Sequence, residues 1–238
     1  MYRGASADLW AAVVEIVGMR VICDFDGTVT RQDTTDWVLE HLADTRWRSL
    51  QDEWLAGRID GAECMRSQVA LIGGSDADLN AVLDRVELDP GFPDFVAWAE
   101  AAAIPVSIAS DGVDYFIARI LARYGFERLP VTTNRLAGAP GARRLDHPAK
   151  PPTCVSGSGV CKCAASEGDG LLVYVGDGRS DFCVSDRANI LFAKGALADY
   201  AADRGRPYLA FDTFHDVRRA LASLAEDRPA MLGEAASL

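Results

Sequence analysis

The chain has 238 residues, 49% of them hydrophobic and 25% charged, with a formal net charge of −11. That length buries a substantial core without disulfide or metal staples, and the composition is ordinary for a globular protein. The acidic excess argues against nucleic acid or an anionic membrane as partner, because both call for basic patches; it leaves a phosphorylated small molecule open, since a bound cation offsets charge locally.

Residues 9–18, LWAAVVEIVG, are the one candidate leader. The run is short, carries Glu15 and has no basic segment ahead of it, so it reads neither as a signal peptide nor as a membrane span. Residues 1–18 read as an N-terminal extension and Met19 as an alternative start. Six cysteines without an export signal imply reduced thiols and a cytoplasmic location.

Arg20–Asp24 is the first predicted strand. Residues 33–90 then hold no convincing strand. DTTDWVLEHLA, RWRSLQDEWLAG, IDGAECMRSQVALIGG and SDADLNAVLDRV read instead as four amphipathic helices, punctuated by Gly and Asp/Ser. The stretch DPGFPDFVAWAEAAA leads back to a second strand at Ile104–Ala109. Behind it Val113, Phe116, Ile117, Ile120 and Leu121 recur at helical spacing, with Gly125 placed to end the helix. Pro130–Asn134 is a third strand. Residues 135–161, rich in Gly, Pro and Ser, read as a long loop with room for a short hairpin. Leu171–Val175, Asn189–Phe192 and Tyr208–Phe211 complete the strands. Apolar strands alternating with helices predict an α/β fold: a Rossmann-like, mostly parallel sheet flanked by helices. Residues 19–32 and 91–225 would form the core, 33–90 a helical cap inserted after the first strand, and 226–238 a frayed tail.

In open α/β sheets ligands bind beyond the carboxyl ends of the strands. Three such ends carry matching chemistry: Asp24-Phe25-Asp26-Gly27-Thr28, Ser110-Asp111-Gly112 and Gly176-Asp177-Gly178-Arg179-Ser180-Asp181. Burying carboxylates costs several kcal/mol each unless a cation or hydrogen bonds offset it. Mg²⁺ prefers a few carboxylates plus waters and substrate oxygens, and Asp24 and Asp177 can supply the protein ligands. One carboxylate of the Asp24/Asp26 pair can attack a phosphate ester while the other handles protons. Ser110 offers a hydroxyl and, with Asp111, flanking amides for phosphoryl oxygens. Lys162 offers positive charge as charge shifts to the leaving group, with Lys150 as the alternative. D-x-D-G-T behind apolar residues should arise by chance in about one chain in 10⁴, so this first signal is the sharpest.

The set DFDGTVT, IASDG, CKC and GDGRSD resembles the four motifs of the haloacid dehalogenase superfamily in its phosphatase branch, over roughly residues 19–220. The helical insert is similar to the cap of the phosphoserine phosphatase-like group. The resemblance implies an aspartyl-phosphate on Asp24, Asp26 as general acid and then base, and Ser110 and Lys162 holding phosphate. It implies Mg²⁺ on Asp24, the Asp26 carbonyl and Asp177, with Asp181 in support. Asp26, two residues after the nucleophile, favours a phosphatase over a dehalogenase. ICDFDGTVTRQDTTD, DGVDYFI and the CKC segment lean toward the phosphatases of methionine salvage, which act on 2-hydroxy-3-keto-5-methylthiopentenyl-1-phosphate. YVGDGRSDFC is also similar to phosphocholine and phosphoethanolamine phosphatases, and the layout to phosphoserine phosphatase.

Plainer readings stand beside these. Ser110 or Asp111 could cap the following helix. Asp33 and Asp36 could cap the first helix of the insert, with Asp33 as a substrate contact the functional alternative. Cys154, Cys161 and Cys163 near His147 could hold zinc, but C-x₆-C-x-C is not a standard zinc spacing, and plain thiols are preferred. Arg143 and Arg144 read as a solvated loop pair, and His41 and His215 as surface or satisfied residues. Trp37, Trp47, Trp54 and Trp98 read as packing, one of them with room to line a pocket. The partner expected is a small phosphorylated metabolite. For self-association the expectation is a dimer through the cap. The rival of another class is a non-catalytic phosphometabolite-binding or zinc-organised regulatory protein.

Overall fold

A computed structural model describes residues 18–226. The expectations for residues 1–17 and for the tail beyond 226 lie outside the described residues. Met19–Cys23 forms β1, with Val21, Ile22 and Cys23 buried. Four helices follow: α1 (Thr34–Leu42), α2 (Trp47–Leu55), α3 (Gly61–Val69) and α4 (Asp76–Leu83). Then come α5 (Phe92–Ala101), β2 (Val106–Val113), α6 (Asp114–Arg123), β3 (Val131–Ala137) and β4 (Arg144–Asp146). The short α7 (Lys162–Ala165) precedes β5 (Leu171–Gly176), a 3₁₀ turn at Arg179–Asp181 and α8 (Phe182–Ser185). The chain closes through β6 (Ile190–Ala193), α9 (Gly195–Asp203), β7 (Leu209–Ala210) and α10 (Phe214–Glu226).

The sheet order is β4-β3-β2-β1-β5-β6-β7. All pairs are parallel except the β3–β4 hairpin. Both faces are covered, as a parallel sheet requires. Val21 and Cys23 join a cluster with Phe92, Phe95, Phe116 and Phe214, while Ile22 faces the other way, toward Tyr174, Leu191 and Leu197. Strand order reverses between β1 and β5, and this is where a ligand crevice is expected.

The insert is built by local rules. Asp33, Asp60 and Ser75 each accept a hydrogen bond from a backbone N–H of the first turn of α1, α3 and α4, at 2.8, 2.7 and 3.2 Å. The segments leading into and out of it pair antiparallel at Thr30 and Leu88. Val38, Leu39, Val69, Ile72, Leu79 and Leu83 are buried in the same apolar cluster as Phe25 and Val29, so the insert shares the core of the sheet.

Several expectations need correction. β2 does not stop at Ala109. It runs through Ser110–Gly112 to Val113, with a register shift against β3 between Ala109 and Val113. Neither Ser110 nor Asp111 caps α6, whose N-cap position is Val113. The long loop does contain a hairpin, between β3 and β4.

Arg143 is not solvated. Its side chain is buried, and Nη1 donates to the carbonyls of Ile72, Gly73 and Gly74 at 3.3, 2.9 and 3.0 Å, while Nη2 meets Asp76 at 3.0 Å. It clamps the α3–α4 connection to the hairpin. Arg143→Ala would leave buried carbonyls without donors and should lower unfolding free energy by about 2–4 kcal/mol. Arg144 is exposed, and Arg144→Ala should change stability by no more than about 0.5 kcal/mol. Urea titration of both variants checks the contrast.

Candidate active site

The register Cys23↔Val175 fixes how the first and last motifs meet. Asp24 N–H donates to the Val175 carbonyl at 2.8 Å, so Asp24 and Asp177 leave neighbouring strands side by side. One carboxylate oxygen from each of Asp24, Asp177 and Asp181 lies within 4.8 Å of the others. Gly27 makes the approach possible. Its φ is +70°, and a Cβ there would stand 2.7 Å from Asp177 Oδ2.

Asp181 is fully buried and its oxygens are committed. Oδ1 accepts from Lys162 Nζ at 2.5 Å and from the Tyr174 hydroxyl at 2.6 Å. Oδ2 accepts from the backbone N–H groups of Asp177 and Gly178 at 3.1 and 3.0 Å. Asp181 therefore orders the turn and holds the lysine.

Lys162 is fully buried at the N-terminus of α7. Besides Asp181, its ammonium meets Asp24 Oδ1 at 2.7 Å and the Ser180 hydroxyl at 2.8 Å. Burial works against its charge, but Asp181 and Asp24 outweigh burial and hold its pKa above the usual lysine range. The alternative, Lys150, lies 3.6 Å from Asp60 on the insert. α7 needs only four residues, which is how Lys162 fits so close before β5.

Burial and the charge of Asp181 push the Asp24 carboxyl well above the ordinary range, against the pull of Lys162. Burial and Asp181 likewise raise Asp177. Thr28 Oγ1 donates to Asp177 Oδ1 at 2.8 Å. Among the described residues no donor reaches Asp24 Oδ2 or Asp177 Oδ2. Carboxylate oxygens without donors, in a site where several acidic groups face one lysine, fit a hard divalent cation.

Asp26 faces the same space. Its Oδ1 accepts from Thr34 N–H at 3.0 Å at the start of α1, and burial, then the charge of Asp33, push its carboxyl up to about 7. Ser110 is buried and takes the Gly112 N–H on its hydroxyl at 2.9 Å. A Cβ on Gly112 would lie 2.5 Å from Asp26 Oδ2 and 3.0 Å from Ser110 Oγ, so glycine is required there. The Asp111 carboxylate turns away to accept from Val160 N–H at 2.9 Å.

Asp24, Asp26, Ser110–Gly112 and Asp177 floor a cavity of about 190 Å³ roofed by the insert, while Lys162 and Asp181 lie buried against Asp24 outside its lining. Asp33 caps α1 and also lines the cavity. Sequence reasoning left one tryptophan for the wall; it is Trp54, and Arg179 lies over its ring at 5.8 Å. It missed Thr35, Cys64, Met65, Gln68 and Arg179, whose exposure to the cavity depends on how the insert docks. It also missed Tyr174 and Thr28, which position Asp181 and Asp177. The Thr35 hydroxyl is buried and has no hydrogen-bond partner among the described residues. A zinc set does not assemble: both ring nitrogens of His147 face oxygen acceptors. Among the described residues the acidic trio is the group that converges in metal-ligand fashion.

Residues 21–186 match the haloacid dehalogenase-like hydrolases. The chain is similar to the 2-hydroxy-3-keto-5-methylthiopentenyl-1-phosphate phosphatase of Geobacillus kaustophilus, at 31% identity over 208 residues covering 84% of this chain and 94% of that one. It is 27% identical to the protein of that name from Brevibacillus brevis, over 87% of this chain and 96% of the relative. Among solved structures it is similar in fold to a substrate-bound phosphoserine phosphatase complex, with TM-score 0.63, 19% identity and coverage of 86% of this chain and 98% of that one.

Proposed function

The chain belongs to the haloacid dehalogenase-like hydrolase family and is a phosphatase of it; from that premise we propose that it hydrolyses a small phosphate monoester through a phosphorylated Asp24, with helices α1–α4 as the cap over the substrate. The convergence of Asp24 and Asp177 at the floor of one cavity, with the buried Lys162 and Asp181 packed against them, supports this reading most.

Asp24 and Asp177, with the Asp26 carbonyl, would hold Mg²⁺. The bound ion would screen the carboxylate nucleophile from the phosphate dianion and polarise the phosphoryl group. The chain's own residues then do the following. Asp24 attacks phosphorus, forming an acyl phosphate as the ester P–O bond breaks. Asp26 gives its proton to the departing alkoxide. Water next attacks phosphorus, Asp26 takes its proton, and the acyl-phosphate P–O bond breaks to free Asp24 and inorganic phosphate. Ser110 and the backbone of Asp111–Gly112 grip phosphoryl oxygens. Lys162 already spends its three protons on Asp24, Asp181 and Ser180. Its link to Ser180 is the one that yields to an incoming phosphoryl oxygen. Asp181 acts by holding Lys162 and the Asp177–Gly178 turn.

The substrate we favour is 2-hydroxy-3-keto-5-methylthiopentenyl-1-phosphate. Two relatives of that name align over nearly their whole length. The cap wall of Trp54, Cys64 and Met65 is apolar and rich in sulfur, which suits a thioether tail. The unpartnered Thr35 hydroxyl offers a bond to a substrate oxygen. Phosphocholine is the second reading, favoured by two carboxylates, Asp33 and Asp36, and an aromatic ring, Trp54, lining the same cavity. A cytoplasmic setting fits the six free thiols.

Release of p-nitrophenol from its phosphate tests the reaction. EDTA should lower the rate at least about 100-fold and added Mg²⁺ should restore it. Full activity in EDTA would remove the metal from the account. Comparing kcat/KM for the thioether ester, phosphocholine and phosphoserine ranks the substrates, and a preference for phosphoserine would overturn the choice made here.

A further inference from the structure

Outside the reacting groups, a chain of hydrogen bonds joins the insert to β2. In the first turn of α3, Ala62 N–H donates to the Gly157 carbonyl at 2.8 Å, and the Ala62 carbonyl lies 3.1 Å from His147 Nε2. The other ring nitrogen, Nδ1, donates to Asn134 Oδ1 at 2.7 Å. Asn134 is fully buried on β3 and turns its amide nitrogen to the carbonyls of Asp111 at 2.6 Å and Gly112 at 3.1 Å. Those acceptors fix which end of the amide faces His147. Val160 N–H closes the circuit on Asp111 Oδ1. Gly159 packs so tightly over the pair that a Cβ there would stand 2.5 Å from Asn134 Oδ1.

The two ends of this chain matter. α3 carries Cys64, Met65 and Gln68 into the cavity wall, and Asp111–Gly112 borders the phosphate end. We propose that His147 is a positioning residue that ties the seat of α3 to Asp111–Gly112 through Asn134, so that substrate wall and phosphate grip are held as one unit. The inference rests on the reading of Ser110–Gly112 as the phosphate grip. A neutral ring donates at one nitrogen only, and Asn134 Oδ1, the nearer of the two oxygens, takes that proton while Nε2 packs against the Ala62 carbonyl. Burial, Arg66 on α3 and Lys150 in the loop oppose the second proton; the Ala62 carbonyl and Asp60, the N-cap of α3, favour it. Burial and the two cations prevail and hold the ring's pKa below the usual histidine value.

Amide hydrogen exchange and steady-state kinetics on the full chain test this, with wild type compared to His147→Ala in the presence and absence of imidazole. In the variant, the first turn of α3 and the amides of Gly112 and Val160 should lose protection together, by about tenfold or more. Its kcat on p-nitrophenyl phosphate should fall about tenfold with Mg²⁺ affinity unchanged, and imidazole should restore both readouts. His147→Gln, which keeps one donor, should fall between the two and serves if the alanine variant folds poorly. Loosening of α3 with Gly112 and Val160 still protected, or kcat within about twofold of wild type, overturns the proposal. A wild type that turns over no phosphate ester would fail the phosphatase mechanism instead, and the exchange comparison would still decide the coupling.

Discussion

Asp24→Asn should lower kcat on any phosphate ester by about 10⁴-fold or more, because an amide oxygen is too weak a nucleophile to form the acyl phosphate. The variant should not fail by unfolding. Asp24 is buried beside Asp181 and Asp177, and only Lys162 favours its charge. A neutral side chain of the same shape relieves that repulsion, so the metal-free variant should melt at the wild-type temperature or above it, a trade of stability for function common at active sites. Substrate should still bind, since the Ser110–Gly112 backbone and Lys162 are untouched. Turnover within tenfold of wild type would remove Asp24 as the nucleophile.

Lys162→Met should damage both catalysis and stability. Methionine fills similar volume, so the loss is one of charge and not of packing. The ammonium stands between Asp24 and Asp181, both nearly or wholly buried. Breaking a buried ion pair by removing one partner costs about 3–5 kcal/mol, because the remaining charge is left uncompensated. In a domain of this size that is a fall of roughly 10 °C in melting temperature. The kcat should fall about 10³-fold as the positive charge beside the transferring phosphoryl group is lost. Mg²⁺ affinity should hold or rise, since the site becomes more negative. Weakened metal binding with an otherwise normal kcat would give Lys162 a different role. A Tm equal to wild type would mean that the buried carboxylates have found other compensation.

Much of this site was legible because its signals are local. An apolar strand that ends in Asp24-Phe25-Asp26-Gly27-Thr28 states its own anomaly, since nothing in a core explains two carboxylates. Asp177 and Asp181 repeat that anomaly behind Leu171–Val175. The α/β alternation was equally plain, because both faces of the sheet are covered and its strands read as unbroken apolar runs. What stayed hidden depends on distant partners. Arg143 looks like a loop arginine until the carbonyls of residues 72–74 close around it. Ser110–Gly112 looks like the end of a strand, and only pairing with β3 carries β2 through it as an irregularity. The cavity wall of Thr35, Cys64 and Met65 is set by how the insert docks, which helical periodicity within each helix does not encode. Asp33 shows that a cap and a wall residue need not be alternatives, because the first turn of α1 opens onto the site.

The most direct test of the phosphorylated aspartate is chemical trapping. Borohydride reduces an acyl phosphate to an alcohol, converting the aspartate to homoserine with a loss of about 14 Da. Protein quenched with borohydride during turnover should show that loss on the peptide holding Asp24, only when substrate and Mg²⁺ are both present. The same loss on Asp26 or Asp177, or an unmodified Asp24 during active turnover, would contradict the mechanism.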